Sequence, residues 1–495
     1  MRPAGCRFRM TVAAAKAGAS SGHCPLPKRR TCRAPTRLSN VVVSWMKPAA
    51  LSALGRRTET PPVSWLMATA LARPELISLA AGFTDSESLP VKETRKLFAG
   101  MLRSRAEGRA ALQYGTTAGD LSLRQLTAER VRALDGASGK DVYGSERMVL
   151  TNGSQQLLYM VTEALCDPGD IVLVEDPTYF VFLGILQSHG IEARGVRLQP
   201  DGLDLEHLES VLRTLKKEGR LSRLKLLYIV SYHQNPTTTT TSFSTKSGAL
   251  ALLRQYERAA GHPIYVLEDA AYRELRFSGE DVLSALAVPG AGARVIYAGT
   301  YSKPFATGIR VGFGLLPEPV LGVVLRIKGN HDFGSSNVLQ KMLVRAIGSG
   351  MYERHLLELR KRYAHKAALM GRALEEHMPP GVRWGVPGGG LYYWASVPPK
   401  IATGFKSKLF QAALRHEVLY VPGQPCYAAD PARPRPNHEM RLSFGAESDA
   451  HLEEGVKRLA AALKGLITVR NPKFEVRNKS EIQNPNQSAA GPPSS

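Results

Sequence analysis

The sequence has little cysteine and no long uncharged apolar stretch, and these two absences exclude several classes of protein. Only five cysteines occur in 495 residues, and three of them (Cys6, Cys24 and Cys32) lie close to the N-terminus. An odd number without framework spacing argues against a secreted disulfide fold and favours a reducing compartment. No apolar run reaches the roughly 18 residues that a membrane-spanning helix requires, so we predict no membrane partner.

Spacings that are typical of metal sites are also missing. His416 with Glu417 and His438 with Glu439 resemble the start of an HExxH motif, but neither pair has the second histidine. We therefore predict that the functional site holds no metal ion.

Acidic residues are absent from the first 58 positions, which contain nine arginines and three lysines. This leader carries more than half of the formal net charge of +22. The remainder is mildly basic, which suits an enzyme that binds anionic substrates. Because charge alone does not specify a nucleic-acid reading module, we predict no nucleic-acid partner.

The two ends of the chain have the composition of unfolded segments. Residues 1–58 are basic and of low complexity, and they resemble an organellar transit peptide, a disordered extension or an over-long start before Met46. Residues 468–495 are polar and repetitive, so they cannot bury enough apolar surface to fold. We place the protein in the cytoplasm, or in an organelle matrix if the leader is a transit peptide.

Short apolar runs alternate with helical patterns through the middle of the chain. The predicted buried strands cover 148–150, 171–174, 226–230, 264–267 and 295–298, and segments such as 155–165 and 249–260 have helical spacing. This alternation predicts an α/β fold with a mostly parallel sheet covered on both faces. A long charged helix at about 349–377 and two or three short strands, around 389–394 and 440–444, predict a smaller α+β domain.

Polar and aromatic residues follow the first two predicted strands, at the sheet edge where parallel α/β folds bind ligands. Gly153, Ser154 and Gln155 open a helix, and free N–H groups at a helix start bind phosphate. Serine is also an ordinary helix cap, so this signal alone is weak. Tyr179 follows the second strand, where it is either a ring near the ligand or a core tyrosine.

An amide and a carboxylate follow the third and fourth strands. Asn235 precedes a proline, which is typical of a turn, and its side chain is also suited to bonding a ring hydroxyl. Asp269 ends an apolar strand, where a carboxylate is costly to bury without a cationic partner. A protonated pyridine nitrogen would supply that partner.

A lysine follows the fifth strand among groups that bind phosphate. Lys303 lies near Thr300, Ser302 and Arg310 in the sequence. A lysine in this place is ordinarily surface-facing or ion-paired. Each of the five strand-end motifs has an ordinary structural explanation when it is taken alone. No single ordinary explanation accounts for all five motifs in this order.

These motifs, with those around Gly82, Tyr114 and Arg441, resemble the fold-type I pyridoxal-phosphate aminotransferases of the class I/II superfamily. The branch that contains 2-aminoadipate and kynurenine aminotransferases and the catalytic domain of MocR-like regulators is the most similar. The resemblance runs from about Leu76 to Leu463. It implies a large domain at 106–330 with a mostly parallel, seven-stranded type of sheet, an N-terminal arm at 59–105 that joins the small domain, and a small domain at 331–467.

The resemblance also implies a role for each matching residue. Lys303 would form the Schiff base with pyridoxal 5'-phosphate and act as the catalytic base, with Asp269 and Tyr272 as the other catalytic residues. The remaining cofactor contacts would come from Ser154, Gln155, Tyr179, Asn235, Thr300, Ser302 and Arg310, and from Tyr114 of a neighbouring subunit in a homodimer. Arg441, with Gly82 and Asn235, would bind the substrate. One departure is Thr238, which stands where the family often has glycine.

The function that the resemblance implies is transfer of an amino group from an L-amino acid to a 2-oxo acid such as 2-oxoglutarate or pyruvate. One alternative is another reaction of the same cofactor, such as β-elimination on a cysteine conjugate. A second alternative is a MocR-like ligand sensor, which would need a winged-helix domain before Gly82, and the residues there show no reading helix.

Overall fold

The protein is described by a computed structural model that covers residues 50–137, 142–430 and 434–470, with side chains up to residue 467. Most of the predicted leader, including Met46 and three of the cysteines, lies outside these residues, and so does the segment after 470. The last residues assigned to the leader, Ala53–Arg57, form a short helix.

The strands are, in chain order, β1 (Ile77–Ser78), β2 (Met148–Thr151), β3 (Ile171–Asp176), β4 (Glu192–Gln199), β5 (Gly202–Leu203), β6 (Leu224–Val230), β7 (Tyr265–Asp269), β8 (Val295–Thr300), β9 (Gly312–Leu315), β10 (Arg383–Trp384), β11 (Tyr392–Ser396), β12 (Val418–Leu419), β13 (Val421–Pro422) and β14 (Glu439–Ser443). The α-helices are α1 (Ala53–Arg57), α2 (Pro62–Ala72), α3 (Val91–Arg103), α4 (Arg105–Leu112), α5 (Leu121–Leu134), α6 (Gly153–Leu165), α7 (Phe180–His189), α8 (Leu205–Lys217), α9 (Phe243–Ala260), α10 (Val320–His331), α11 (Asn337–Gly348), α12 (Met351–His377), α13 (Lys408–Arg415) and α14 (Asp449–Arg470).

The large sheet has the strand order β2-β9-β8-β7-β6-β3-β4-β5. Its centre is parallel, and β9 and the two-residue β5 are the antiparallel strands. The prediction of a mostly parallel sheet of seven main strands is confirmed. Because β9 is antiparallel to both β2 and β8, those two strands run in the same direction, and all five predicted strands end at one edge.

Three strands of this sheet are missing from the prediction for physical reasons, and one of them, β5, has only two residues. Strand β4 has the sequence EARGVRLQ, with only its Gly-Val pair buried, so it lacks the apolar run of a central strand. Strand β9 contains two glycines in four residues, which lowers its β-propensity. Both strands pair because their neighbours present open edges, which local sequence does not reveal.

Burial on both faces explains the apolar runs in the central strands. Val172 and Val174 of β3 pack on one face of the sheet with Leu157 of α6, whereas Leu173 packs on the other face with Leu227 of β6. Alternate side chains of a strand point to opposite faces, so a strand covered by helices on both sides must be apolar throughout.

Helix α9 shows how local signals set the ends of an element. The hydroxyl of Ser242 caps the first turn by accepting a hydrogen bond from the Thr245 N–H at 3.1 Å, and Gly261 ends the helix with a φ of 80°. The predicted start at 249 was six residues too late. The first turn is polar and lacks the apolar period on which that prediction relied.

The strands outside the large sheet outnumber the two or three that were predicted after residue 330. They form an antiparallel sheet in the order β10-β11-β14-β13 and a parallel pair of β1 with β12. Several of these strands have only two residues, too few to give a periodic pattern. The β14 strand carries Arg441, which pairs with Trp394 of β11 and Val421 of β13.

Candidate active site

The carboxyl ends of β2, β3, β6, β7 and β8 surround one cavity. Ten of its twelve lining residues are predicted cofactor contacts, and Val230 and Ala271 are the other two. The predicted contacts that line it are Ser154, Gln155, Tyr179, Asn235, Asp269, Tyr272, Thr300, Ser302, Lys303 and Arg310. The structure thus brings together residues that lie up to 156 positions apart in the chain, from Ser154 to Arg310.

Lys303 follows β8 and points its amine toward the N-terminal arm. Its Nζ donates a hydrogen bond of 2.6 Å to the carbonyl of Gly82. Among the described residues, no carboxylate lies within ion-pair distance of this amine. Burial lowers the pKa of Lys303 below its ordinary value, with Tyr392 opposing this effect and the cations of Arg441 and Arg310 adding to it. A lowered pKa favours the neutral form of a lysine amine, which is the nucleophilic form.

A tight cradle lies beside Lys303 at the N-terminus of α6. Gly153 has a φ of 73°, and a Cβ there would lie 2.6 Å from Nη2 of Arg310. Arg310 itself is in the left-handed region, with a φ of 49°, and its Nη1 donates to Oγ of Ser302 at 3.2 Å. Strained backbone of this kind is typical of ligand sites. The cradle combines a guanidinium, hydroxyls and the free N–H groups of a helix start, which are the groups that bind phosphate.

Asp269 lies at the floor of the cavity with its carboxylate held from two sides. Oδ2 accepts a hydrogen bond of 2.9 Å from the hydroxyl of Tyr228, and Oδ1 accepts one of 3.0 Å from the N–H of Ala271. Burial raises the pKa of Asp269 to about 6, against the lowering effect of these two hydrogen bonds. A nearby cation would favour the ionised form.

Arg441 is a buried cation without an anionic partner among the described residues. Its Nη1 donates to Oδ1 of Asn235 and its Nη2 to the carbonyl of Ala80, both at 2.8 Å. The guanidinium lies 4.2 Å from the centre of the Tyr392 ring, and Nε has no hydrogen-bond partner. A buried charge without a counter-ion is costly, and here it is suited to an anionic ligand.

Comparison with known proteins identifies the family to which this chain belongs. Residues 74–459 match the sequence profile of the family described as aminotransferase class I and II. The chain belongs to the class I and II aminotransferases. It is 33% identical to aromatic-amino-acid aminotransferase 1 of Thermococcus litoralis over 79% of this chain and 88% of that protein. It is also 32% identical to 2-aminoadipate transaminase of Thermus thermophilus over 80% of this chain and 92% of that protein.

The fold of this aminotransferase is similar to that of solved relatives. The crystal structure of kynurenine aminotransferase from Pyrococcus horikoshii, in complex with PMP, has a TM-score of 0.76 and 31% identity, and covers 84% of this chain and 98% of that chain. The protein is therefore a pyridoxal-phosphate-dependent aminotransferase, which moves an amino group from an amino acid to a 2-oxo acid. These relatives do not favour β-elimination or ligand sensing.

The residues of the aminotransferase fit pyridoxal 5'-phosphate. Only a residue without a Cβ fits at position 153, where the backbone approaches Arg310, and a Cβ at Gly312 would lie 2.4 Å from the Gly153 carbonyl carbon. This close packing leaves the helix start facing Arg310 and Ser302, as a phosphate would need. Asp269, with its pKa raised by burial, fits a protonated ring nitrogen at the other end of the cavity.

Three predicted site residues of the aminotransferase lie outside the cavity lining, namely Arg441, Gly82 and Tyr114. Gly82 contributes its carbonyl to Lys303, and a Cβ there would lie 2.8 Å from the Tyr392 hydroxyl. Tyr114 is 82% exposed and its ring packs edge-on against Phe333 at 5.7 Å. The role predicted for Tyr114 belongs to a neighbouring subunit and stays a prediction.

Sequence reasoning missed two tyrosines of this aminotransferase. Tyr228 was assigned to a buried strand, and Tyr392 to a short strand of the small domain. Both residues have the apolar neighbours of an ordinary core tyrosine. Only the pairing of β6 with β7, and of β11 with β14, brings their hydroxyl and ring beside Asp269 and Arg441.

The described residues contain no group of three or more histidine, cysteine, aspartate or glutamate side chains arranged to hold a metal ion. In the same part of the chain, no helix is both long and apolar enough to cross a membrane.

Proposed function

We propose that Lys303 carries the cofactor and moves the substrate proton, and that Arg441 receives the α-carboxylate of the substrate. The observation that carries this proposal is the buried guanidinium of Arg441, which has no carboxylate partner in the described part of the chain and retains a free Nε. An amino acid and a 2-oxo acid share the α-carboxylate, so one arginine serves both halves of the reaction. A planar guanidinium binds a carboxylate through two parallel hydrogen bonds.

The chemistry of each residue follows from its surroundings. Pyridoxal phosphate, when bound, withdraws electrons from the bond that breaks at the substrate Cα. The Nζ of Lys303, whose pKa is lowered by burial, would accept the proton from Cα and return it at the neighbouring carbon. Asp269 would place its negative charge toward the ring nitrogen and favour the protonated form of that nitrogen. Ser154, Gln155, Thr300, Ser302 and Arg310 would bind the phosphate, and Tyr179 would pack on the ring.

The preferred substrates require a direct test. The names of the relatives specify aromatic amino acids, 2-aminoadipate and kynurenine, and these compounds are the first donors that we propose for this chain. We propose 2-oxoglutarate or pyruvate as the acceptor. The purified protein should be assayed against a panel of donors with each acceptor. A protein that transfers no amino group from any donor, although it binds pyridoxal phosphate, would contradict the proposal.

A homodimer is also part of the proposal. Leu102, Leu112, Tyr114 and Phe333 are apolar or aromatic side chains with exposed fractions of 47%, 71%, 82% and 57%. Exposed apolar surface of this kind is suited to a protein partner, here a second copy of the chain. A mixed dimer of Lys303→Ala with Tyr114→Ala subunits should regain activity, since one of its two sites has both residues intact. Failure to regain activity in a verified mixed dimer would exclude Tyr114 from the partner's site.

The last proposals concern the location of the protein and the limits of its domains. We propose a cytoplasmic protein with domains at 59–105 with 331–467 and at 106–330. Cys166 and Cys426 form no disulfide with each other, which suits a reducing compartment. Fluorescent fusions of the full chain and of a form without residues 1–58 should give the same distribution. Organelle import of the full chain alone would favour a transit peptide.

A further inference from the structure

Tyr392 lies between the group proposed for the substrate carboxylate and a group proposed for the cofactor ring. It is the first residue of β11 and is 1% exposed. The guanidinium of Arg441 lies 4.2 Å from the centre of its ring. Its hydroxyl oxygen lies 3.1 Å from the hydroxyl oxygen of Tyr272. One side chain therefore contacts both halves of the site.

We propose that Tyr392 is a positioning residue that couples the two halves: its ring supports the guanidinium of Arg441, and its hydroxyl donates to the hydroxyl of Tyr272. This inference rests on the proposed function, because it takes Arg441 to bind the substrate and Tyr272 to bond the ring hydroxyl of the cofactor.

The direction of the hydroxyl pair follows from the charges around it. Burial raises the pKa of Tyr272 well above its ordinary value, and the neighbouring Tyr392 adds to this. Burial also acts to raise the pKa of Tyr392, but the cations of Arg441 and Lys303 outweigh it, so that this pKa is lowered. The geometry allows either hydroxyl to donate. Because the more acidic hydroxyl is the better donor, we assign Tyr392 as the donor, which leaves the proton of Tyr272 free for a ligand.

The titratable groups that face the Tyr392 side chain come from five different parts of the fold. They are Lys303 after β8, Arg441 on β14, Tyr272 after β7, Tyr179 before α7 and Tyr363 on α12. The two cations are the charged members, so the surroundings of the Tyr392 hydroxyl are net positive. A donor hydrogen bond polarises the next hydroxyl in a chain and makes it a stronger donor in turn.

Two variants separate the two contacts. Tyr392→Phe keeps the ring under Arg441 and removes the hydroxyl, whereas Tyr392→Leu removes both. Tyr393 provides the matched control, because it is the next residue of the same strand and its hydroxyl donates to the Ala367 carbonyl at 2.8 Å, outside the site. Tyr393→Phe and Tyr393→Leu therefore report the cost of the same changes to the fold alone.

The hydroxyl is tested by a pH titration of the visible absorption of the holoenzyme. With the cofactor bound, a weaker donor at Tyr272 would leave more negative charge on the ring oxygen, and this charge would favour the protonated form at Lys303. In Tyr392→Phe we expect the titration to move to higher pH, by an equilibrium factor of about three to ten. The KM for the amino donor should change little. The titration of Tyr393→Phe should overlay that of the wild type.

The ring is tested by the KM for the amino donor and for the 2-oxo acid. Loss of the stacked ring in Tyr392→Leu should raise both KM values by about threefold to tenfold beyond those of Tyr392→Phe. Tyr393→Leu, compared with Tyr393→Phe, should show no such increase. A wild-type titration in Tyr392→Phe, or equal KM values in Tyr392→Phe and Tyr392→Leu, would overturn the coupling role.

Failure of this inference is distinguishable from failure of the proposed function. If Lys303→Ala retained the titrating visible band, the assignment of the cofactor site would be wrong, whatever Tyr392 does. If Lys303→Ala lost the band while Tyr392→Phe titrated as the wild type, only the role of Tyr392 would be wrong.

Discussion

The hydroxyl of Tyr228 on β6 donates a hydrogen bond of 2.9 Å to Oδ2 of Asp269 at the end of β7. Tyr228 is fully buried, and its ring packs on Phe182 of α7 with the ring centres 4.0 Å apart. The ring is therefore fixed by packing, and its hydroxyl holds the carboxylate in one orientation. A hydrogen bond to a carboxylate stabilises the ionised form, which is the form that a protonated ring nitrogen needs.

Removal of this hydroxyl should slow catalysis without displacing the cofactor. In Tyr228→Phe the ring still packs on Phe182, so we expect a folded protein with normal cofactor occupancy. We expect kcat to fall by about threefold to tenfold, the effect of one hydrogen bond of about 1 kcal/mol. Steady-state kinetics with an occupancy titration checks this, and an unchanged kcat would mean that Ala271 alone fixes the carboxylate.

Asp269→Asn should have a larger effect in the same direction. In the proposed function the carboxylate would stabilise positive charge on the ring nitrogen most strongly as the bond at Cα breaks, so its loss should act on the rate constant more than on binding. In a low-dielectric site such a charge contributes several kcal/mol, or on the order of a hundredfold or more in rate. Single-turnover kinetics beside an occupancy titration measures both effects. A fully loaded variant that reacts at the normal rate would remove Asp269 from the mechanism.

Lys303→Ala should abolish the covalent attachment of the cofactor and nearly all turnover while the fold is retained. Among the described residues, Lys303 is the lysine that lines the cavity formed by the five strand ends. Borohydride reduction of the wild type followed by peptide mass mapping should find the cofactor on Lys303. Lys361→Ala is the control, since that lysine is exposed and pairs with Glu358 on the surface of α12. Attachment to another lysine in the wild type would refute the assignment.

Arg441→Lys should impair substrate binding although the positive charge is kept. The lysine cannot make the two parallel hydrogen bonds to a carboxylate, and it loses the planar contact with Tyr392. We expect KM for the amino donor and the 2-oxo acid to rise together by about tenfold to a hundredfold. Cofactor occupancy should be unchanged. An increase confined to one of the two substrates would show that Arg441 binds a side chain rather than the shared α-carboxylate.

The sequence was informative where chemistry and strand order coincide. The residues at the five strand ends could be assigned to one site because a parallel sheet brings its carboxyl ends together, and a burial pattern reveals such a sheet. Lys303 and Asp269 were identifiable because a charged group at the end of an apolar strand is costly to bury without a partner. Asn235 and Arg310 lie in the loops that follow such strands, and their side chains suit a ring hydroxyl and a phosphate.

The contacts that sequence reasoning missed depend on which strands pair and on the register of that pairing. Tyr228 and Tyr392 each lie in an apolar strand, and nothing local distinguishes them from core tyrosines. Thr238 is a different case, because it departs from the family pattern at a position whose backbone conformation is not evident from the sequence. It has a φ of 66°, in the left-handed region that glycine adopts without strain. The sequence alone shows that Thr238 replaces a glycine of the family pattern, whereas its left-handed backbone is known only from the structure.

A buried acid beside the active-site loop gives the last prediction, which concerns stability. Glu175 on β3 is fully buried, and its Oε2 accepts hydrogen bonds from the Val230 N–H at 3.0 Å and from Nε2 of Gln234 at 2.8 Å. Gln234 precedes Asn235, so this carboxyl supports the loop that carries a substrate-site residue. Burial raises the pKa of Glu175 to about 8, against the lowering effect of these hydrogen bonds.

The raised pKa makes folding depend on pH with a definite sign. Below the ordinary value of 4.5, both the folded and the unfolded chain hold the proton. Between 4.5 and about 8, the unfolded chain releases the proton and the folded chain keeps it, so the free energy of unfolding decreases as the pH rises. Above about 8 the decrease is complete. A tenfold difference in proton affinity between the folded and the unfolded chain corresponds to about 1.4 kcal/mol, so the total decrease is on the order of a few kcal/mol.

Glu175→Gln should remove this dependence, because glutamine has the shape and the neutral charge of the protonated acid. The variant should match the wild type below pH 4.5 and exceed its free energy of unfolding above about pH 8. Urea unfolding of both proteins across this range measures the difference. The control is Glu257→Gln. In the wild type, burial acts to raise the pKa of Glu257, but Arg294 and the Ile264 N–H outweigh it, so this pKa lies below 4.5. The wild type should therefore gain stability over this variant as the pH rises toward 4.5, and the difference should stay constant from there to pH 8. If the curves of Glu175→Gln and the wild type stay parallel through the range, Glu175 is ionised in the folded protein and the loop beside Asn235 is supported by a charge.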